Sequence, residues 1–230
     1  SVKIITFPHI APEVAQLFPI EKLTKIARDA GAVSVVDGAH APGQIKVDLK
    51  KIDADFYVGN CHKWMLSPKG AGFVYASREY ENKIRPPAIS WGNISEGSSS
   101  LLMENDWQGT TDISSILAVQ DSIEFLNQHE WFETFIPRSD QLISEFNDKV
   151  LNVTGMDDLY VCNDLRPPQM RTYLLPEGDH SSLHTELFQH FKVDVPVFLH
   201  PEGNMFRISV QAYNNESDLD RLVAALRELL

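Results

Sequence analysis

Apolar and polar positions along this chain fall into short runs whose period changes from segment to segment. Residues 2–8 (VKIITFP) are an apolar run that predicts a strand. In residues 20–30 (IEKLTKIARDA), Leu23, Ile26, Ala27 and Ala30 recur at helical spacing, and Gly31 ends the helix. The runs 33–37 (VSVVD) and 55–58 (DFYV) predict buried strands, and 71–76 (AGFVYA) predicts a third. Strands alternating with helices indicate an α/β arrangement around a parallel or mixed sheet.

The pattern changes in the second half. Residues 90–111 are rich in Gly, Ser and Asn and predict a long loop. Residues 113–127 form a strongly amphipathic helix. Residues 131–150 predict a second helix, interrupted at Pro137. Beyond them the order becomes strand 171–175, helix 181–192, strands 195–199 and 205–210, and helix 216–230. The reading is two domains, 1–130 with the α/β sheet and 131–230 as a compact α+β unit. No internal repeat or low-complexity tract breaks this scheme.

Composition narrows the function classes. Of 230 residues, 43% are hydrophobic and 23% charged, which suits a globular core. The net charge of -12 argues against nucleic acid and against an anionic membrane surface, since both are held by clustered Lys and Arg. No apolar run nears the roughly 20 residues that cross a bilayer. The 2 cysteines, Cys61 and Cys162, form no CxxC pair, which excludes a disulfide scaffold and a Cys-rich zinc site. Free thiols and the lack of a signal-like N-terminus fit a cytoplasmic enzyme. No metal is expected: His40, Cys61 and His62 lack the spacing of a closed site.

Candidate chemistry concentrates where strands end. Ligands of α/β sheets bind beyond the carboxyl ends of the strands. Asp37 closes one predicted strand, with His40 three residues on. Asn60, His62 and Lys63 follow the next, in GNCHKWMLSPKGAGFVYA. Arg207 lies alone in the apolar strand MFRISV and needs an anion. In WQGTTD, Thr111 or Asp112 suffices to cap the helix that follows.

The blocks VDGAHAPGQ (36–44), ADFYVGNCHKW (54–64), PKGAGF (68–73), WQGTTD (107–112), PPQM (167–170) and FRISVQAYN (206–214) run through nearly the whole chain. In this order they resemble the class V aminotransferases, a group of fold-type I pyridoxal-phosphate enzymes. They are most similar to its isopenicillin N epimerase-like and cysteine lyase-like branch. The resemblance implies the C-terminal part of a large-domain sheet of the aspartate aminotransferase type, followed by a small α+β domain.

It also implies pyridoxal 5'-phosphate as cofactor. Lys63 would form the Schiff base. Asp37 would keep the ring nitrogen protonated, so that the ring serves as an electron sink. His40 would meet the ring oxygen, Asn60 and His62 the phosphate, and His9 the ring. Thr110 would reach the phosphate of a neighbouring subunit in a homodimer with shared sites. Arg207 would hold the carboxylate of an amino-acid substrate.

Carbon–sulfur lyase chemistry, as in a cysteine desulfhydrase, and epimerisation both follow from proton removal at the α-carbon; the lyase on a sulfur amino acid is preferred. Aminotransferase and cysteine desulfurase remain further possibilities. A desulfurase needs a nucleophilic cysteine on a loop downstream of the lysine. Cys162 is the candidate, and its apolar, strand-like neighbours read instead as structural. The family carries a long segment before the part matched here, and the chain lacks an initiator Met. It therefore reads as the C-terminal portion of a longer protein, or as a cleaved or incomplete product. A rival from another class is a non-catalytic fragment or interaction protein that lacks the N-terminal half of the cofactor site.

Overall fold

The computed structural model describes residues 2–92, 101–107, 109–201 and 203–230. The chain divides into two compact units, residues 1–9 with 19–125 and residues 10–18 with 126–230.

In the first unit, β1 (Ile4–Pro8), β2 (Val33–Gly38), β3 (Phe56–Asn60) and β4 (Gly72–Ala76) form a sheet in the order β1-β2-β3-β4. The first three strands are parallel and β4 returns antiparallel, so the sheet is mixed. The parallel step from β1 to β2 is made by α1 (Ile20–Asp29), which buries Ile20, Thr24 and Ala27. Gly31, at φ +67°, ends α1 in the left-handed region that glycine adopts without steric cost. A one-turn helix, α2 (Leu49–Ile52), follows Asp48, whose carboxylate accepts from the amides of Lys50 and Lys51. It is tied to α1 where the Thr24 hydroxyl donates to the Ile52 carbonyl at 2.7 Å.

The strands read as buried prove to be one-sided. Ser34, Val36, Gly38, Tyr57 and Gly59 are buried, whereas Asp37 and Val58 between them are exposed. Ile4 (64% exposed), Val58 (45%) and Val74 (50%) stand on that open face. The reason is alternation: neighbouring residues point to opposite faces, and α1 packs against β2 on one of them.

The segment read as a long loop contains a helix, α3 (Leu101–Asp106), while residues 93–100 and 108 lie outside the described residues. α4 (Ser114–Gln128) follows, and the Asp112 carboxylate accepts from the Ser114 amide at 2.8 Å at its start.

The second unit is built on α5 (Trp131–Thr154), which runs unbroken through Pro137. The expected interruption is absent because packing outweighs one missing hydrogen bond: Leu142, Ile143, Phe146 and Val150 seat one face of α5 in the core. The sheet opposite has the order β5-β7-β6, antiparallel throughout, from β5 (Met170–Leu174), β6 (Val197–Phe198) and β7 (Met205–Ser209). α6 (Leu183–Glu186) continues as a π-helical turn over Leu187–Phe191. α7 (Glu216–Leu229) begins with a capping box between Asn215 and Asp218. Its Leu219, Leu222, Val223 and Leu226 share one core with Phe206 and Ile208 of β7. Fully buried Arg171 on β5 is compensated by Asp140 at 3.0 Å and by the Pro167 and Met170 carbonyls.

Residues 10–18 are a strap bound into this second unit. The Thr172 hydroxyl donates to the Glu13 carbonyl at 2.6 Å, and the Leu17 amide to the Leu165 carbonyl at 2.8 Å. The Tyr160 hydroxyl meets the carbonyls of Val14 and Ala15. Among the described residues, no helix is long and apolar enough to cross a membrane.

Candidate active site

The site in the first unit grows from the ends of β2 and β3. The exposed Asp37 carboxylate accepts from the Ala39 amide at 2.9 Å, which starts the turn after β2. Gln44, fully buried, holds that turn by donating to the His40 carbonyl at 2.9 Å. Gly43, at φ +86°, is forced by a neighbour: a Cβ there would lie 2.3 Å from the Trp64 carbonyl oxygen. The turn after β2 and the segment after β3 thus meet backbone to backbone.

The segment after β3 carries Lys63. It is pinned to its own loop by the Cys61 amide, which donates to the Ala71 carbonyl, and by the Ser67 amide, which donates to the Cys61 carbonyl. Lys63 Nζ lies 3.1 Å from His40 Nε2. On the other side of the same ring, the Trp64 indole N–H donates to His40 Nδ1 at 3.2 Å. Trp64 itself is buried. Sequence reasoning passed over Trp64. The signal was there: an indole N–H next to a candidate lysine needs an acceptor when it is buried.

His62 and Asn60 flank this group. His62 Nδ1 lies 3.2 Å from the Ala71 carbonyl. A carbonyl only accepts, so Nδ1 carries a proton, and Nε2 donates to an anion only when the ring is an imidazolium. Asn60 ends β3, paired with Gly72. Thr110 is exposed in the stretch before α4. Cys61 is buried, and burial pushes its thiol up.

His9 turns toward the covered side of the sheet. Its Nδ1 lies 2.9 Å from the Tyr57 hydroxyl, and the two rings pack edge to face with centroids 5.9 Å apart. Its backbone amide donates to the Asp37 carbonyl at 2.7 Å, so His9 shares a strand end with Asp37 while its ring faces Tyr57. Burial lowers His9 to about 4, against a smaller opposing pull from Glu21. Burial and the nearby Asp37 charge raise Tyr57.

Arg207 belongs to the second unit. One Nη donates to the Pro12 carbonyl, and the guanidinium lies 5.7 Å from the Phe198 ring centroid. Its Nε is buried without a partner among the described residues. Desolvation lowers its pKa, and the Glu13 charge opposes that shift. Cys162 departs from its structural reading. It is exposed, in an irregular stretch leading into the 3-10 turn Asn163–Leu165.

As chemistry, the first unit offers an amine, an imidazole in contact with it and an exposed carboxylate at an adjoining strand end. That donor set suits a cofactor with an aldehyde and a basic ring nitrogen. Among the described residues, no group of three His, Cys, Asp or Glu side chains is placed to hold a metal ion.

The chain is 32% identical to isopenicillin N epimerase of Amycolatopsis lactamdurans, over 99% of its own length and 60% of the relative's. It is 32% identical to L-cysteine desulfhydrase of Arabidopsis thaliana, over 100% of the chain and 55% of the relative. The chain therefore spans somewhat over half the length of these relatives. Among solved structures, apo cysteine desulfurase from Thermococcus onnurineus NA1 superposes with a TM-score of 0.82 at 22% identity, over 99% of this chain and 60% of that one. Alanine–glyoxylate aminotransferase from Nostoc sp. gives 0.76 at 17% identity, over 98% and 61%. At such identities these two structures speak for the fold alone. Residues 1–222 match the family description "Aminotransferase class-V", and the chain belongs to that family.

Proposed function

We propose that this chain carries the lysine-bearing part of a pyridoxal 5'-phosphate enzyme that acts at the α-carbon of an amino acid. The contact between Lys63 Nζ and His40 Nε2 at 3.1 Å carries the reading, because it sets an imidazole beside the amine to which the resemblance assigns covalent attachment. The cofactor, when bound, supplies an electron sink for the charge left by proton removal.

The chain's own residues divide the remaining work. Lys63 would attach the cofactor and serve as the base for the α-proton. Asp37 would hold a proton on the ring nitrogen. His40 would meet the ring oxygen. Asn60 and His62 would hold the phosphate, and Thr110 that of a second subunit in a homodimer. His9 would act from the covered side of the sheet, holding the end of β2 through its amide and β3 through Tyr57. Arg207 is assigned the substrate carboxylate on its own surroundings, a desolvated guanidinium with one nitrogen still unpartnered. The names of the two relatives divide over the outcome. We favour elimination of hydrogen sulfide from a cysteine-like substrate, with epimerisation as the second product class, since both begin at the same proton.

The test uses the full chain with added cofactor. A visible absorbance band and a borohydride-stable adduct mapped to Lys63 are expected, both lost in Lys63→Ala. Asp37→Asn should keep the fold and lose several orders of magnitude in rate with cysteine, because a neutral pyridine is a poor electron sink. An adduct that persists on another lysine in Lys63→Ala, or near-normal turnover in Asp37→Asn, refutes the assignment. Sulfide release from cysteine, against loss of optical activity from a panel of amino acids, separates lyase from epimerase.

A further inference from the structure

We propose that Trp64 is a positioning residue that fixes the tautomer of His40 and thereby favours the neutral amine at Lys63. The inference rests on the reading of Lys63 as the reactive amine, but its geometry stands on three side chains of the first unit.

An indole N–H can only donate. Trp64 Nε1 lies 3.2 Å from His40 Nδ1, so Nδ1 must offer a lone pair. A neutral imidazole carries one N–H, which places the proton on Nε2. That nitrogen lies 3.1 Å from Lys63 Nζ. An ammonium there would set donor against donor. The contact is a hydrogen bond when Nζ accepts, and Nζ accepts only as the neutral amine. The opposite tautomer would satisfy an ammonium at Lys63, but it would aim the Nδ1 proton at the Trp64 N–H.

A lysine needs its lone pair to attack an aldehyde. Trp64 touches neither that lone pair nor the reacting carbon, and its effect passes through the imidazole. The backbone supports the arrangement: Gly43 lets the turn that carries His40 close onto the Trp64 carbonyl, and Gln44 anchors the His40 carbonyl. The same tautomer has a second use. Once Lys63 is engaged, the Nε2 proton is available to another acceptor at that point in the site.

Nitrogen-resolved NMR of the full chain, with the histidine rings labelled, reads the tautomer directly at neutral pH. The expected pattern is a bare Nδ1 and a protonated Nε2 for His40. In Trp64→Phe, which removes the N–H and keeps an aromatic ring, that pattern should give way to a mixture or to the opposite tautomer. In the same variant, trinitrobenzenesulfonate should modify Lys63 about threefold to tenfold more slowly relative to the other lysines, roughly the worth of one hydrogen bond. A protonated Nδ1 in the unmodified chain overturns the proposal without any variant, so a folding defect in Trp64→Phe leaves it testable. An unchanged tautomer in a folded Trp64→Phe overturns it as well. If the cofactor adduct maps to another lysine while His40 keeps the expected tautomer, the functional reading fails and Trp64's hold on His40 stands.

Discussion

His9 Nδ1 meets the Tyr57 hydroxyl at 2.9 Å on the covered side of the sheet, while the His9 amide grips the carbonyl of Asp37. Burial keeps the folded imidazole neutral down to about 4, whereas the unfolded chain takes up that proton near the ordinary 6.5. Between these values the unfolded state binds more protons, so stability is full above pH 6.5 and falls as the pH drops toward 4. The loss amounts to at most about 3 kcal/mol. Urea unfolding at several pH values should show this slope, and His9→Gln should flatten it. A slope unchanged in His9→Gln would assign the pH sensitivity elsewhere.

Gly43→Ala tests the closure between the two turns. The substitution places a methyl 2.3 Å from the Trp64 carbonyl oxygen and an L-residue at φ +86°. The backbone conformation alone costs roughly 1–2 kcal/mol, and relief of the clash must move the Lys63–Trp64 segment. Lower stability and weaker cofactor absorbance are expected together. Full absorbance in a destabilised Gly43→Ala would mean that the lysine segment does not depend on this closure.

Arg207→Lys keeps the charge and loses the planar fork. If Arg207 binds the substrate carboxylate, cofactor absorbance stays unchanged and amino-acid affinity falls about 10–100-fold, the worth of a hydrogen bond to a charged group. The decarboxylated amine of the same side chain should bind equally to both proteins. Equal losses for both ligands would make Arg207 a structural residue that holds the Pro12 carbonyl.

Thr110 is exposed ahead of α4, and the Asp112 carboxylate already serves the Ser114 amide at the helix start, so capping leaves the Thr110 hydroxyl available. Mixing Lys63→Ala subunits with Thr110→Val subunits should restore part of the activity through hybrid sites. Activity in a protein that stays monomeric at all working concentrations would remove the shared-site assignment.

Much of this arrangement could be read from local signals. The spacing of Leu23, Ile26 and Ala27, followed by Gly31, marks α1 and its end. Asp37 and Lys63 announce themselves as polar residues at the ends of apolar runs. α2 was missed, although Asp48 before Leu-Lys-Lys-Ile is an ordinary N-cap signal. α3 was missed because the Gly and Ser residues before it dominate the window. Pro137 misled, since a local rule about proline says nothing of the core that Phe146 and Val150 reach. The tie between His40 and Trp64 depends on two turns meeting in space, which no sequence period encodes. The departure of residues 10–18 to the second unit has the same cause: its bonds are to Thr172, Tyr160 and Leu165, all remote in sequence.

That strap has a practical consequence for anyone dividing the protein. The chain enters the second unit at residue 10, leaves it after residue 18 and returns at residue 126. A single cut at residue 125 therefore does not yield two self-sufficient pieces. The leading piece would carry away the carbonyls of Pro12, Glu13, Val14 and Ala15, on which Arg207, Thr172 and Tyr160 depend. The trailing piece would be left with bare donors, and it should be soluble only when the leading piece or a synthetic peptide of the strap is supplied. The halves should then behave as a split protein whose reassembly rests on these side-chain donors meeting the carbonyls of the strap, and a fusion tag placed at that junction would report on reassembly.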